Sequence, residues 1–503
     1  MAQAGSSKTQ AGPFHILGAQ LYQIAAMNLL RCMLALVPAT AYLCNDGTCH
    51  TELSASFLQV EKQRRKAVSE HPWPHARGKA PHQFGNTQEV WTDHKLSWSY
   101  HHPDGRFHNI MAGGPVIDVD KNLYLMSGKG LIALSPSGDV RWTYETPGPC
   151  NNEVTLHGDL VLGTTKEGNA FAVDRRTGKT QWVTKLAKDA GGDCGYPAAF
   201  KDVFVVGAQQ AKENLTGGNW LVMGLKTDSG EKLWEYEVDQ PVWNLTPLFP
   251  GDDTVAFMDF SGGVYRLGLK NGTQIWRTPA RESHDSFSDG GAGLGPNGFM
   301  YSCSNFKDST GQEGQQGVAR GYKLSDGSLQ WERILSSPCN SYPAVGHVKG
   351  SDALAVVVTP GSFMGRPGLH GSVLALDAAT GKDIWEFHAK PFSGLGFQAA
   401  GDFEGALTRH AAGVQEMCIP AHWSAPIIDG QGTVLVGRSD GKLYQVFGPE
   451  AQFRGSKDHA TKVNSGVVAK LLDVKSASLH GALAAAPGMF AMSTCDTLFV
   501  FQK

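Results

Sequence analysis

Two stretches of the chain repeat one another almost residue for residue: AVDRRTGKTQW at 172–182 and ALDAATGKDIW at 375–385. Both read as apolar, any residue, Asp, two residues, Thr-Gly-Lys, two residues, Trp. Four further segments keep the core of the pattern, a glycine four residues ahead of a tryptophan. They run Gly138 to Trp142, Gly230 to Trp234, Gly272 to Trp276 and Gly327 to Trp331. A period of 40 to 55 residues suits units of four short strands. An alternating strand such as Val373-Leu374-Ala375-Leu376 precedes each turn. The Asp and Thr side chains can bond the turn backbone, and glycine supplies its positive φ. The tryptophan of the following strand then points at the next unit, because one blade cannot bury both of its faces alone.

These observations predict an all-β chain folded as an eight-bladed β-propeller over residues 91–503, with seven blades as the alternative. The segment TVLVGRSDGKLYQV at 433–446 has middle strands but loses its tryptophan strand to an insertion. The segment MFAMSTCDTLFVF at 489–501 lacks a fourth strand, and HKLSWSY at 94–100 is a tryptophan strand with nothing before it. Trp98 is therefore expected to complete the last blade, pairing N-terminal with C-terminal strands and leaving no open edge. With it, Trp142, Trp182, Trp234, Trp276, Trp331 and Trp385 are assigned to docking blade on blade. Insertions at 388–421 and 448–478 interrupt the rhythm, and long loops on a rigid frame usually bind something or cap a site.

The repeated A-x-D-x-x-T-G-K-x-x-W signature and its spacing resemble the pyrroloquinoline-quinone (PQQ) repeat superfamily. That group includes quinoprotein alcohol dehydrogenases and the bacterial outer-membrane assembly factor B, so the resemblance specifies the fold and leaves function open. Two expectations follow. One is a non-catalytic binding or scaffold module; the other is a PQQ- and calcium-dependent oxidoreductase with its site in the propeller funnel. For the second, the resemblance implies a calcium held by a glutamate and an asparagine, an aspartate base and a tryptophan stacked on the quinone. Glu153, Asn152 and Asp289, with Trp243 or Trp423, are the nearest residues, but their spacing does not follow the enzymes' motifs. The adjacent Cys-Cys pair of many such enzymes is absent from the sequence. No residue is thus assigned a catalytic or metal-binding role.

Inner strands of a propeller line its channel, and residues at their starts form a ring. Asn151, Asn152, Tyr196, Trp243, Tyr342, His422 and Trp423 stand at such starts and suit a small polar ligand. Equally, they can satisfy strand ends and hold water. Nucleophile elbows, H-E-x-x-H, P-loops and C-x-x-C pairs do not occur. The glycines at 290–293 read as structural.

A net charge of -3, from 44 basic and 47 acidic residues without a long run of either sign, gives no footprint for nucleic acid. Residues 1–41 carry a signal peptide or a retained signal anchor, with Met27 as an alternative start. Arg31 precedes a short apolar run that ends near Ala39-Thr40-Ala41. Residues 42–90 read as a flexible linker. Within it, HPWPHARGKAPHQF lacks any apolar period and is expected to be exposed, its histidines no more than adventitious metal ligands. An oxidising compartment would allow Cys44–Cys49, Cys150–Cys194 and Cys339–Cys418 to pair, leaving Cys303 and Cys495 as buried thiols. Sequons stand at Asn214, Asn244 and Asn271. A monomer in the secretory pathway or outside the cell is expected, with a protein or glycan partner and membrane contact only through a retained anchor.

Overall fold

A computed structural model describes residues 42–45, 48–51, 71–79, 95–103, 105, 111–128, 130–150, 153–191, 195–210, 218–281, 283–307, 313–361, 371–391, 411, 422–450, 462–464, 466–474 and 478–503. The chain divides into two compact units, Met1–Ala67 and Val68–Lys503. In the first, strands Tyr42–Asn45 and Thr48–Thr51 form a hairpin whose register sets the Cys44 and Cys49 backbones opposite one another.

The second unit is an eight-bladed propeller. In chain order the blades occupy residues 111–144, 155–185, 198–242, 248–278, 285–334, 344–388, 427–473, and last 478–502 joined by 95–100. In most blades strand order follows the chain from the channel outwards, so neighbouring strands are joined by hairpins; the seventh sets Lys462–Asn464 outside Val467–Asp473, and the eighth takes its outer strand from residues 95–100. Middle strands are mostly buried, fully so in Leu123–Ser127 and Gly130–Leu134. Outer strands such as Thr180–Lys185 alternate, burying the tryptophan and exposing its neighbours. The ring closes as expected: Lys95–Tyr100 pairs antiparallel with Leu498–Gln502, with Trp98 opposite Val500.

The turns carry the chemistry read from the repeat. The Asp174 carboxylate accepts from the Arg176 and Thr177 amides and the Thr177 hydroxyl, and Asp377 does the same for Ala379 and Thr380. Gly178 and Gly381 both have φ of +69°. These glycines also have a second task. A Cβ added to Gly138, Gly178, Gly230, Gly272, Gly327 or Gly381 would meet the tryptophan ring of the preceding blade at 2.5–2.9 Å. Each indole therefore lies on the turn of the next blade, and its Nε1 donates to a carbonyl just before that glycine. Trp98 donates to Pro136, Trp142 to Arg175, Trp182 to Thr227, Trp234 to Leu269, Trp276 to Leu324 and Trp331 to Ala378, at 2.7–3.1 Å.

The seventh blade breaks the pattern, differently from expectation. It keeps an outer strand, Val467–Asp473, so the insertion displaces the tryptophan and not the strand. Gln445 stands where the other blades set the residue opposite tryptophan, and its partner is Lys470. Lacking a Thr-Gly turn to rest on, Trp385 donates to Lys349 of its own blade at 2.9 Å.

The cysteine assignments need correction. Cys303 is not a thiol: it is bonded to Cys339 with 5.6 Å between Cα atoms, which rules out Cys339–Cys418. Cys303 lies in a middle strand and Cys339 at the start of the next blade's inner strand, so a bond forms between adjoining blades. Cys495 is disulfide-bonded as well. Cys150 is a buried thiol, its Sγ 3.5 Å from the Gly148 carbonyl. Cys194 and Cys418 lie outside the described residues.

Candidate functional site

The segment expected to be an exposed tether is buried. His71, Trp73, His75, Ala76 and Arg77 are each at most 3% exposed. Trp73 exchanges backbone hydrogen bonds with Ile117 of the first inner strand, and the Pro74 carbonyl accepts from Leu156 of the second. His71 Nε2 sits 2.9 Å from the Gly158 carbonyl. Further along, the His75 ring meets Phe249 edge-on. The Arg77 guanidinium then lies 3.9 Å from the Tyr342 ring centre and 4.4 Å from that of Tyr196. Ile117 and Leu156 come late in their inner strands, whereas Tyr196 and Tyr342 stand at the starts of theirs. The segment therefore threads the channel lengthwise, and Arg77 reaches the ring of strand starts proposed as the ligand funnel. A turn from His75 to Gly78 folds the chain back, with Gly78 at φ +85° against the Trp73 ring.

This explains why the segment has no apolar period. A strand or helix buries one face, whereas a chain inside a channel is surrounded and needs no periodicity. The usable signal was a tryptophan between two prolines, Pro72-Trp73-Pro74, with no turn glycine ahead of it.

Around Arg77 the strand starts form a polar network. Tyr196 and Tyr342 meet edge-on with ring centres 6.0 Å apart. The Tyr342 hydroxyl donates to the Asn244 carbonyl at 2.6 Å, and the Asn244 side-chain amide donates to Asp289. Asn340 Oδ1 accepts from the Asp289 amide at 3.1 Å and from Asn305 at 2.9 Å. Gly290, Gly291 and Gly293 pack on the backbone or rings of Ser341, Tyr342 and Pro343, which leaves no room for a side chain there. They are structural, as read.

Glu153 is fully buried, and its Oε1 accepts from the Gly114 amide at 2.5 Å. Burial pushes its carboxyl up to about 8, with the Arg77 charge and the Gly114 hydrogen bond pulling the other way. His75 is pushed down to about 3 by burial and by Arg77. The Arg77 guanidinium packs against two aromatic faces. Trp243 is half-buried, 6.0 Å from Phe287 between ring centres. His422 and Trp423 meet a second guanidinium: Arg438 Nε donates to His422 Nε2 at 3.0 Å and the guanidinium covers Trp423 at 5.2 Å, while Trp423 shares a buried cluster with Tyr196 and Tyr342. Burial and Arg438 hold the His422 imidazole well below its usual range. Asn151 and Asn152 lie outside the described residues.

The channel does not fit a quinone with calcium. Among the described residues no three His, Cys, Asp or Glu side chains gather as a metal site. Burial raises the Glu153 carboxyl and so disfavours the ionised form that a hard cation needs. The two tyrosines that could face a planar ring face a guanidinium from the chain itself. What the arrangement can do is fix the N-terminal segment inside the propeller.

Comparison with known proteins agrees on the architecture. The family model for outer membrane protein assembly factor BamB matches in three overlapping stretches, 84–291, 169–355 and 261–465. The factor BamB of Burkholderia pseudomallei is 26% identical over 272 residues, 45% of this chain and 63% of that protein. The crystal structure of BamB from Moraxella catarrhalis superposes with a TM-score of 0.53 at 17% identity, over 82% of this chain and all of the other. The quinohemoprotein alcohol dehydrogenase of Comamonas testosteroni gives 0.57 at 12% identity, over 88% and 82%. The chain spans less than two thirds of the length of the curated relatives it matches. With matched stretches over most of its length and the eight-bladed ring, the chain belongs to the BamB-type family of PQQ-repeat β-propellers.

Proposed function

We propose that the protein is a non-catalytic propeller, a rigid scaffold that binds a protein or glycan partner in the secretory pathway or outside the cell. The observation that carries this reading is Arg77, seated between Tyr196 and Tyr342 where a dehydrogenase of this fold would need space for its quinone. A channel filled by its own chain leaves outer loops as the working surface, and the insertions at 388–421 and 448–478 are the first places to seek contacts. Disulfide bonding at Cys303, Cys339 and Cys495 suits an oxidising compartment. Asn271 is an exposed turn residue fit to carry a glycan, whereas Asn244 is buried and unfit. Among the described residues no helix is long and apolar enough to cross a membrane.

The test is a titration of the full-length protein with PQQ and calcium, following tryptophan fluorescence and dye-linked alcohol oxidation. No saturable quenching and no dye reduction, in wild type and in Arg77→Ala, is the expected result. Calcium-dependent binding with dye reduction, both lost in Glu153→Gln, would establish the quinoprotein reading in its place.

A further inference from the structure

Between the seventh and eighth blades the structure leaves a cavity of about 230 Å³. Its floor is apolar and buried: Leu443 of the seventh blade, and Phe490 and Phe501 of the eighth, whose rings lie 5.7 Å apart. Leu96 and Leu472 stand at its mouth, 52% and 40% exposed, and Lys95 and Lys470 flank them. The position has a meaning in the fold. Six interfaces around the ring place an indole on the neighbouring turn, and this one does not. Lys470 occupies the register of the missing tryptophan, opposite Gln445. The eighth blade takes its outer strand from residues 95–100, so no Thr-Gly turn joins its third strand to its outer one.

We propose that this seam is a binding site for a small bicyclic aryl carboxylate, a free ligand of indole or naphthalene size. The cavity is half as large again as the roughly 150 Å³ apolar cavities that bind benzene, so it takes two fused rings. The walls offer hydrocarbon to the rings, and the Lys95 ammonium at the rim supplies the counter-charge for an acid group. The inference is independent of the scaffold reading, because the cavity is lined by no residue of the channel segment.

The experiment is calorimetric titration of the full-length protein with indole-3-propionate, and with 3-(indol-3-yl)propan-1-ol as the uncharged control. One saturable site is expected for both. Lys95→Gln should weaken the acid about three-fold and leave the alcohol unchanged. Lys470→Trp sets an indole over the mouth of the cavity, so it should abolish binding; Arg266 opposite Trp276 shows that a long partner residue is tolerated. Gln445→Trp repeats the test from the facing strand if Lys470→Trp does not fold. Absence of saturable binding in the wild type, or undiminished affinity in a folded tryptophan variant, overturns the proposal.

Discussion

The contact between each tryptophan and the next blade's glycine can be measured as a coupling. Gly381 has φ of +69°, and the three atoms nearest an added Cβ all belong to Trp331, the closest at 2.6 Å. Gly381→Ala therefore incurs two separate costs. Left-handed backbone for alanine costs about 1 to 2 kcal/mol. Forcing a methyl against a fixed ring costs about 1 to 3 kcal/mol more. Trp331→Ala should cost about 3 to 5 kcal/mol on its own, since the ring is buried and its Nε1 bonds the Ala378 carbonyl at 3.0 Å. In the Trp331→Ala background the overpacking part of the glycine substitution has nothing to press on. Only the backbone part remains, so the double mutant should be about 1 to 3 kcal/mol more stable than the sum of the single effects. Urea unfolding followed by circular dichroism reads all four proteins. Strict additivity would refute the argument, because it would mean that the glycine serves the turn alone.

Further predictions concern the channel and the cross-links. The Glu153 carboxyl is raised to about 8 in the fold from an ordinary value of 4.5. Its contribution to stability is thus present in full below the ordinary value and lost as pH rises through about 8. The wild-type unfolding temperature should fall between about pH 5 and pH 9, and Glu153→Gln should flatten that decline. Trp73→Ala should cost about 3 to 5 kcal/mol in urea unfolding, a loss unexpected of a linker residue. The Cys303–Cys339 bond spans 36 residues, so Cys339→Ser should cost about 3 to 4 kcal/mol, and peptide mapping should recover the two cysteines linked. Enzymatic deglycosylation of protein from a eukaryotic secretory host should release a glycan from Asn271 and none from Asn244.

The fold was legible because its information is local and repeated. An eleven-residue signature fixes a turn, a strand pair and the direction of one ring, and six copies fix a period. Even the closure through Trp98 could be read, since an outer strand without a blade and a blade without an outer strand define one another. The channel was less legible, because its contents come from outside the repeat. Tyr196 and Tyr342 were placed at the mouth from their positions ahead of inner strands, and the structure brings them together. Arg77, which joins them, lies in a segment whose surroundings are set by three-dimensional enclosure and not by periodicity. The same reason accounts for Cys303. Pairing cysteines at equivalent strand positions follows the repeat, whereas the bond formed joins a middle strand to the start of the next inner strand.

The account rests on residues 71–78 threading the propeller, and amide hydrogen exchange tests that most directly. The Trp73 and Leu156 amides are bonded to the Ile117 and Pro74 carbonyls. Peptides covering 71–79 should therefore exchange as slowly as the inner strands, with Arg77→Ala speeding the segment selectively. Exchange of that segment at the rate of an unstructured chain, with the blades still protected, would show the channel open and contradict the account.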